Sequence, residues 1–188
     1  MSVGLYIKEL CWSLRSDLAE VPIRILMWLP LTIGITARKV LLSAYLGSMG
    51  ENNTFLEGVL IVTPKKLFVG SNCNFARRVF ITAGGGVRIG DWVGIGPDVK
   101  IWSVNHKFSD PDSPWASQGW DYKEVIIEDD VWIGANSFIM PGTRIGKGAI
   151  ISACTVVSKS VPPYAVMAGN PGRVIGWRKK VENPEAAG

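Results

Sequence analysis

Aliphatic or aromatic residues recur at every sixth position through most of the chain, and this period limits the possible folds more than any other feature. From residue 127 to residue 157 the hexads follow one another without a slip. A period of six fits neither an α-helix nor an alternating strand. It fits a short strand and a tight corner, repeated so that each turn of chain stacks on an earlier one. The periodic residues are Val69, Phe75, Ile81, Ile89, Ile95, Ile101, Ile127, Ile133, Ile139, Ile145, Ile151 and Val157, with fainter hexads beginning at Phe55 and Ile61.

A second small or β-branched residue lies four positions after most of the periodic residues, as at Val79, Val99 and Thr143. Side chains of this size suit places where the interior of a stacked coil is narrow. Glycine, asparagine or aspartate near each corner permits backbone angles that a branched side chain resists. The pattern therefore predicts a mainly β chain that folds as a parallel β-helix over residues 47–161.

Two interruptions break the six-residue period. Gly84-Gly85-Gly86 indicates a small insertion at a corner, and residues 107–124 form a long one, KFSDPDSPWASQGWDYKE. A loop of this length in a compact repeat fold is usually functional or disordered. It begins directly after His106, the only histidine in the 188 residues. One histidine per chain excludes any site that needs several imidazoles from one copy.

The two ends of the chain differ in character from the repeats. Residues 1–46 predict an N-terminal helical segment, with a helix over 32–46, and residues 162–188 predict a C-terminal tail. The apolar stretch 21–35 contains Arg24 and two prolines, so it is too short and too interrupted for a bilayer span of about 20 residues. Two interpretations of 1–46 remain: a helical appendage packed on the main domain or a neighbouring subunit, or an amphipathic segment resting on the inner membrane surface.

Composition narrows the class of protein and its compartment. A chain that is 47% hydrophobic and 19% charged is not a disordered one. Cys11, Cys73 and Cys154 are odd in number and far apart, which favours reduced thiols in a cytoplasmic protein. The net charge of +4 is compatible with an anionic cofactor or a membrane face, and we expect no nucleic acid partner.

Three segments give the chain a resemblance to a known family: IGPDVKIWSVNHKFSD, then IIEDDVWIGANSFIMPGTRIGKGAIISACTVVSKSVPPY, then AVMAGNPGRVIG. Over roughly residues 55–178 the chain resembles the hexapeptide-repeat acyltransferases. The branch it is most similar to contains the maltose, galactoside and streptogramin O-acetyltransferases and the O-acetyltransferases of surface polysaccharides. The resemblance implies a left-handed parallel β-helix, a homotrimer, acetyl coenzyme A (acetyl-CoA) as acyl donor, and no metal.

The resemblance makes His106 the catalytic base. Acetyl transfer to an alcohol needs a group that takes the hydroxyl proton, and neutral imidazole is populated at physiological pH. Asn105 and Asp110 lie nearby, and either is a candidate for orienting the imidazole or the acceptor. Each also has a structural interpretation, because Asn105 suits a corner and Asp110 suits the start of a turn before Pro111.

The resemblance also implies a donor site, whose residues are Trp132, Ala135, Ala153, Ser158, Lys159 and Arg173. Ala135 and Ala153 are three hexads apart, so they lie one above the other and offer backbone amides to the pantetheine arm. Lys159 and Arg173, with Ser158 alongside, match positions near the nucleotide phosphates, and guanidinium pairs well with phosphate. Trp132 matches a tryptophan beside the cleft, although an exposed tryptophan also suits packing between subunits.

The acceptor side departs from the galactoside and maltose enzymes, because the comparable stretch here reads FARRVF. Arg77 is a candidate for binding a phosphate or carboxylate on the acceptor, or else a solvated corner residue. Trp115 and Trp120 are candidates for stacking on sugar rings, or for fixing the loop to the next subunit. We therefore predict an O-acetyltransferase acting on a sugar hydroxyl of a cell-surface polysaccharide or its lipid-linked or nucleotide-linked precursor. The alternatives are an N-acetyltransferase of an amino sugar nucleotide and an acetyltransferase of a hydroxylated small molecule such as an antibiotic.

Overall fold

The computed structural model describes residue 28 and residues 31–179. Within these residues the chain forms one α-helix, α1 (Leu31–Tyr45), and short strands that alternate with tight corners. The N-terminal segment predicted over 1–46 therefore lies mostly outside the described residues, as does the end of the tail at 180–188. No helix among the described residues is long and apolar enough to cross a bilayer.

Three parallel sheets run along the molecule, and the chain visits them in the repeating order A, B, C. Sheet A contains β1 (Ser48–Met49), β4 (Leu67–Val69), β7 (Val87–Ile89), β12 (Val125–Ile127) and β15 (Arg144–Ile145). Sheet B contains β2 (Thr54–Phe55), β5 (Asn74–Phe75), β8 (Gly94–Ile95), β13 (Trp132–Ile133), β16 (Ile150–Ile151) and β18 (Ala165–Ala168), with β19 (Arg173–Trp177) antiparallel at its edge. Sheet C contains β3 (Leu60–Val62), β6 (Phe80–Thr82), β9 (Lys100–Trp102), β14 (Phe138–Ile139) and β17 (Val156–Val157).

Each passage through the three sheets is one coil, and successive coils pair strand on strand. We name the three edges of this prism the A–B, B–C and C–A corners, after the sheets that they join in chain order. The predicted mainly β, parallel β-helix of hexapeptide repeats is thus confirmed.

The predicted periodic residues fill the interior of the coils. In sheet B, Phe55 pairs with Phe75 and Phe75 with Ile95, and all three side chains are buried. The rings of Phe55 and Phe75 stack with their centroids 4.4 Å apart and their planes 12° from parallel. Because every coil places an apolar side chain above the one before, the core is continuous along the axis.

Apart from the third coil, whose paired residues such as Arg88 and Ile126 are 38 positions apart, the coils are of two lengths, which explains why the hexads are strict only in part of the chain. Paired residues lie 20 positions apart in the first coils, as do Ser48 and Phe68, but 18 apart later, as do Ile126 and Arg144. The extra residues of the first two coils lie at the C–A corner, where a 3₁₀ turn (Pro64–Lys66) or the segment 83–86 is inserted. The corner insertion predicted at Gly84-Gly85-Gly86 is therefore present.

Helix α1 covers the open end of the first coil. Leu42 and Leu46 are buried against the core, and the Arg38 side chain is buried with its Nε donating to the carbonyl oxygen of Phe55 at 2.7 Å. The helix predicted over 32–46 is present at Leu31–Tyr45. It seals the first coil, whose apolar interior would otherwise meet water.

At the other end, β18 adds a sixth strand to sheet B by pairing with β16, so parallel stacking continues into the segment predicted as a tail. Strand β19 then folds back on β18, and the N–H of Gly172 donates to the carbonyl of Val156 at 2.9 Å. This contact holds the hairpin turn against the last coil.

Candidate active site

One long segment leaves the coils at the C–A corner of the third coil. We call it the excursion, residues 103–124. It contains an antiparallel pair of strands, β10 (Val104–His106) and β11 (Trp120–Tyr122), in which His106 stands opposite Trp120. The sequence predicts a loop that starts after His106, whereas the structure carries His106 out of the coil on a strand. The pairing fixes the position of His106 relative to the far side of the excursion.

The two ends of the excursion cross the coil beneath at Gly85. The N–H of Gly85 donates to Ser103 Oγ at 2.9 Å, and the N–H of Lys123 donates to the Ser103 carbonyl at 3.0 Å. A Cβ at Gly85 would lie 2.2 Å from that carbonyl oxygen, far inside van der Waals contact. The glycines at this corner therefore allow both ends of the excursion to cross close to the coil beneath.

The imidazole of His106 lies between two tryptophan rings of the excursion. Its centroid is 3.8 Å from that of Trp120 in a tilted stack and 4.7 Å from that of Trp115 in an edge contact. Among the described residues the buried Nδ1 atom has no hydrogen-bond partner, and Nε2 is not among the buried unpartnered atoms. Nε2 is consequently the nitrogen that can meet a reacting group.

The two candidates for orienting His106 make other contacts. Asn105 Oδ1 accepts from the backbone N–H of His106 at 2.9 Å. Asp110 accepts from the Ser113 hydroxyl at 2.7 Å and from the backbone N–H of Asp112 at 3.0 Å. These hydrogen bonds, that from Ser113 first, lower the pKa of Asp110. Within the described part of the chain neither side chain hydrogen-bonds the imidazole, and both shape the backbone of the excursion.

A second set of predicted residues lies at the B–C corner. Ala135 and Ala153 occupy the same place on successive coils, and the N–H of Cys154 donates to the Ala135 carbonyl at 2.8 Å. In the described structure the N–H groups of Ala135 and Ala153 donate no hydrogen bond. The same place on the third coil is Pro97, which has no N–H. Two stacked, unpaired donors therefore begin at the fourth coil, and they suit a chain of carbonyl groups such as the pantetheine arm.

The remaining donor-site candidates lie around the last coils. Trp132 is exposed on the outer face of β13 and lines a groove of about 280 Å³ together with Trp92 and Arg178. Ser158 and Lys159 are exposed after β17, and Arg173 is exposed at the start of β19. The docking of Gly172 on Val156 brings Arg173 beside the last coil, where a guanidinium can meet a phosphate.

The predicted acceptor residue Arg77 is already ion-paired. Its Nε contacts Glu57 of the coil before, while Arg78 forms a two-pronged pair with Asp98 of the coil after, at 2.7 and 2.5 Å. The hydrogen bond from Arg78 is the main cause that lowers the pKa of Asp98. Both guanidinium groups thus tie neighbouring coils together at the B–C corner.

The structure brings the predicted residues together in two separate groups. His106, Trp115 and Trp120 meet at the C–A corner, and Ala135 and Ala153 meet at the B–C corner. Each strand of sheet C runs from a B–C corner to a C–A corner, so the width of this sheet separates the two groups in one chain. Within one chain the two groups therefore stand at opposite edges of sheet C.

The outer face of sheet C carries a row of apolar side chains that the hexad pattern did not predict, with Lys100 of β9 as a charged residue among them. Trp102 contacts Phe80 and Phe138 on this face, with ring centroids 6.4 and 5.2 Å apart. Leu60 and Val62 continue it with exposed side chains. The signal is present in the sequence, because an apolar residue directly precedes the periodic one in β3, β6, β14 and β17. In sheet A two of the corresponding positions are arginines.

Among the described residues no three histidine, cysteine, aspartate or glutamate side chains are grouped so as to hold a metal ion. Two of the cysteines fall in the described residues, and both Cys73 and Cys154 are free thiols. The described residues bring the His106 imidazole, backbone amides and aromatic faces to the candidate site.

Comparison with known proteins gives consistent similarities. Residues 124–159 match the family described as bacterial transferase hexapeptide (six repeats). The chain is 33% identical over 124 residues to a chloramphenicol acetyltransferase of Agrobacterium fabrum, covering 65% of this chain and 56% of that protein. The chain spans about half the length of the curated relatives that it matches first.

Two solved structures are similar over most of the chain. One is a hexapeptide-repeat acetyltransferase of Vibrio cholerae O1 biovar eltor complexed with acetyl coenzyme A, with 26% identity, a TM-score of 0.76 and 84% of both chains covered. The other is a galactoside acetyltransferase in complex with coenzyme A, with 28% identity, a TM-score of 0.72, and 85% of this chain and 83% of that chain covered.

Proposed function

Because the chain belongs to the hexapeptide-repeat acyltransferase family, we propose that it transfers an acetyl group from acetyl-CoA to a sugar hydroxyl. The acceptor that we propose is a cell-surface polysaccharide or its lipid-linked or nucleotide-linked precursor. One observation carries the proposal: a histidine whose Nδ1 is buried and unpartnered, which leaves Nε2 to react, and a pair of unpaired amides stand at the two edges of sheet C.

His106 acts as general base in this proposal. Its Nε2 takes the proton from the acceptor hydroxyl as the oxygen attacks the acetyl carbonyl carbon, and it returns that proton to the departing sulfur. Acetyl-CoA supplies the activated thioester. A positioned base of this kind contributes about 10²–10⁴-fold to the rate.

The amides at the B–C corner hold the donor. The N–H groups of Ala135 and Ala153 donate no hydrogen bond within the described part of the coil, and the methyl side chains of these residues let the pantetheine arm approach closely. Arg173 and Lys159, with Ser158, bind the phosphates at the end of the molecule where the last coil closes. Trp132 lines the side of the cleft from the outer face of sheet B.

The complete site forms between copies of the chain. Packing of sheet C against a second copy buries Phe80, Trp102 and Phe138, and it places the His106 corner of one chain beside the Ala135 corner of the next. A ring of three copies repeats this contact and covers the outer face of sheet C in every copy. The proposed function therefore requires the homotrimer, because the site is complete only between two copies of the chain.

The acceptor lies over the tip of the excursion. Trp115 and Trp120 are 59% and 51% exposed, so each keeps aromatic surface on which a sugar ring can stack. Arg77 stands at the B–C corner, on the donor half of the composite site, where an anionic group of the acceptor can share its guanidinium with Glu57.

Acetylation of a hydroxylated small molecule is the second candidate, and the similarity to a chloramphenicol acetyltransferase favours it. The chemistry at His106 is the same for either acceptor. The two candidates differ only in the acceptor that binds over the tip of the excursion.

The test is acetyl-CoA turnover, read as released thiol, with a panel of acceptors. The panel contains a neutral oligosaccharide, a phosphorylated lipid-linked glycan, an amino sugar nucleotide and chloramphenicol. We expect turnover with a glycan hydroxyl and a loss of about 10²–10⁴-fold in His106→Ala, with unfolding unchanged. Equal turnover by the two proteins would overturn the role of His106. Turnover confined to the amino sugar or to chloramphenicol would replace the glycan hydroxyl by that acceptor.

A further inference from the structure

The partly buried His106 imidazole is flanked by two indole rings, where a catalytic histidine usually has a hydrogen-bonding partner. Trp120 stacks on it at 3.8 Å, and Trp115 meets it nearly at right angles, at 82° between the ring planes. We propose that Trp115 and Trp120 are positioning residues, which fix the imidazole by packing and take the place of an orienting carboxylate. The inference deepens the proposed function and rests on it for the role of His106.

No other group in the described residues is placed to orient the ring. Nδ1 is buried without a hydrogen-bond partner, and Asn105 and Asp110 are occupied with backbone and hydroxyl donors of the excursion. An imidazole without a hydrogen bond at Nδ1 keeps its orientation only if neighbouring atoms block rotation of the ring. Two tryptophan planes at different angles block this rotation, because turning the ring drives it into one of them.

Both tryptophans are themselves held in place. Trp120 belongs to β11 and is paired with His106 across the strand pair, with a further hydrogen bond from the Lys107 N–H to the Gly119 carbonyl at 3.1 Å. Trp115 begins a 3₁₀ turn (Trp115–Ser117), and the Gln118 N–H donates to its carbonyl at 3.3 Å.

Gln118 also braces the turn through its side chain. Its amide donates to the carbonyls of Asp110 and Ser113 at 2.8 and 2.9 Å, and it accepts from the Asp110 N–H at 3.0 Å. Asp110 therefore influences His106 indirectly, through the turn that carries Trp115, and does not hydrogen-bond the imidazole. This chain of contacts explains how the polar residues of the excursion can influence the ring without a direct hydrogen bond.

The single histidine makes the proposal directly measurable, because one imidazole gives all the histidine side-chain signals of the protein. The experiment records the ring proton shifts and long-range ¹⁵N correlations of the full chain, prepared without a histidine tag. It compares the wild type with Trp115→Ala, Trp120→Ala and Trp120→Phe. Tyr122→Ala is the matched control, since Tyr122 is exposed on the same strand and its ring makes no contact with His106.

We expect upfield ring-current shifts of the imidazole protons in the wild type and in Tyr122→Ala. Trp120→Ala should remove these shifts, and Trp120→Phe should retain part of them. In turnover assays each alanine variant should lower kcat by about 10²-fold, with a rise in KM beside it where the indole also stacks on the acceptor, and the phenylalanine variant should recover most of kcat.

Two results would overturn the proposal. One is unchanged imidazole signals in both alanine variants. The other is a rise in KM with kcat unchanged, which would assign the tryptophans to acceptor binding alone. If the wild type turns over no acceptor, the proposed function fails while the spectra still report whether the tryptophans position the ring. The amide signals of residues 107–119 show whether an alanine variant has lost the fold of the excursion. Where one has, the imidazole signals and the kcat of Trp120→Phe decide whether the indole positions the ring.

Discussion

The two corners that flank sheet C present opposite kinds of chemistry. At the C–A corner the chain leaves the coil for 22 residues (103–124) and offers side chains: an imidazole and two indoles. At the B–C corner it stays in strict register and offers backbone, two amides with alanine side chains. A proton acceptor must be a side chain, whereas the donor arm needs a row of evenly spaced amides. The first task needs an interruption of the repeat, and the second needs the repeat to be undisturbed.

The largest expected effect comes from inactivating the C–A corner in one copy of the chain and the B–C corner in another copy. His106→Ala damages one corner and Ala153→Phe fills the other, so each variant alone should lose activity, by about 10²–10⁴-fold for His106→Ala. Mixed assemblies of the two should regain about a quarter of wild-type turnover, the share of intact interfaces expected from random assortment of the copies. Released thiol measured after co-expression checks this.

The control for subunit mixing is the pair of separately purified variants, combined without exchange, which should stay inactive. Sedimentation of the mixture establishes that the copies associate. Full inactivity of the co-expressed assemblies would show that each chain completes its own site, contrary to the interface between sheet C faces.

The fold could be predicted from the sequence because the interior of a stacked coil admits few side chains. Phe75, Ile133 and Ile151 are apolar at a fixed interval for a reason that acts on every coil, and all are buried. His106 could be found because it is the only histidine and stands where the interval breaks. Both signals are visible in residue type alone.

The contacts around His106 could not be predicted in the same way. The stacking of Trp120 on the imidazole depends on how the two strands of the excursion pair, and no periodicity sets that register. The outer face of sheet C escaped prediction for another reason. Outward positions of a coil ordinarily meet solvent, and only the contacts of Trp102 with Phe80 of the coil before and Phe138 of the coil after join these side chains into one apolar patch.

A smaller effect is expected where the excursion crosses the coil. Gly85→Ala puts a Cβ 2.2 Å from the Ser103 carbonyl oxygen and 2.8 Å from the Lys123 amide nitrogen. We expect a loss of about 1–3 kcal/mol in the free energy of unfolding, because backbone on both sides must move. Turnover should also fall, since the same backbone carries His106. Urea unfolding and kcat measure the two effects.

Gly176→Ala is the matched control for the variant at Gly85. A Cβ at Gly176 meets no atom within 4 Å, and its backbone is not in the left-handed region. It should leave both stability and turnover unchanged. If Gly85→Ala leaves the free energy of unfolding and turnover as unchanged as Gly176→Ala does, the close crossing at Gly85 does not hold the excursion in place. The difference between the two corners would then lie in the outer part of the excursion.

The smallest effect is expected at the B–C corner, from Asp98→Asn. Asn is suited to the left-handed backbone at this place, where Asn136 has φ 60° one coil later, so the change removes the charge and keeps the corner. Arg78 lowers the pKa of Asp98 below its usual value, so the ion pair stabilises the folded chain above that usual value and less as the pH falls through the lowered one. The wild type should therefore be slightly more stable than Asp98→Asn at neutral pH, and the difference should vanish on acidification.

Urea unfolding at a series of pH values measures this difference for Asp98→Asn, and added salt should reduce it because the pair is exposed. Asp112→Asn is the control, a carboxylate of the excursion that makes no ion pair within the described residues. A difference that grew towards acid pH would mean that the pair opposes folding, and the B–C corner would then be held by its backbone hydrogen bonds alone. The variants used for subunit mixing should have large effects and Asp98→Asn a small one, because the former remove groups proposed to act on the substrates and the latter removes one exposed ion pair.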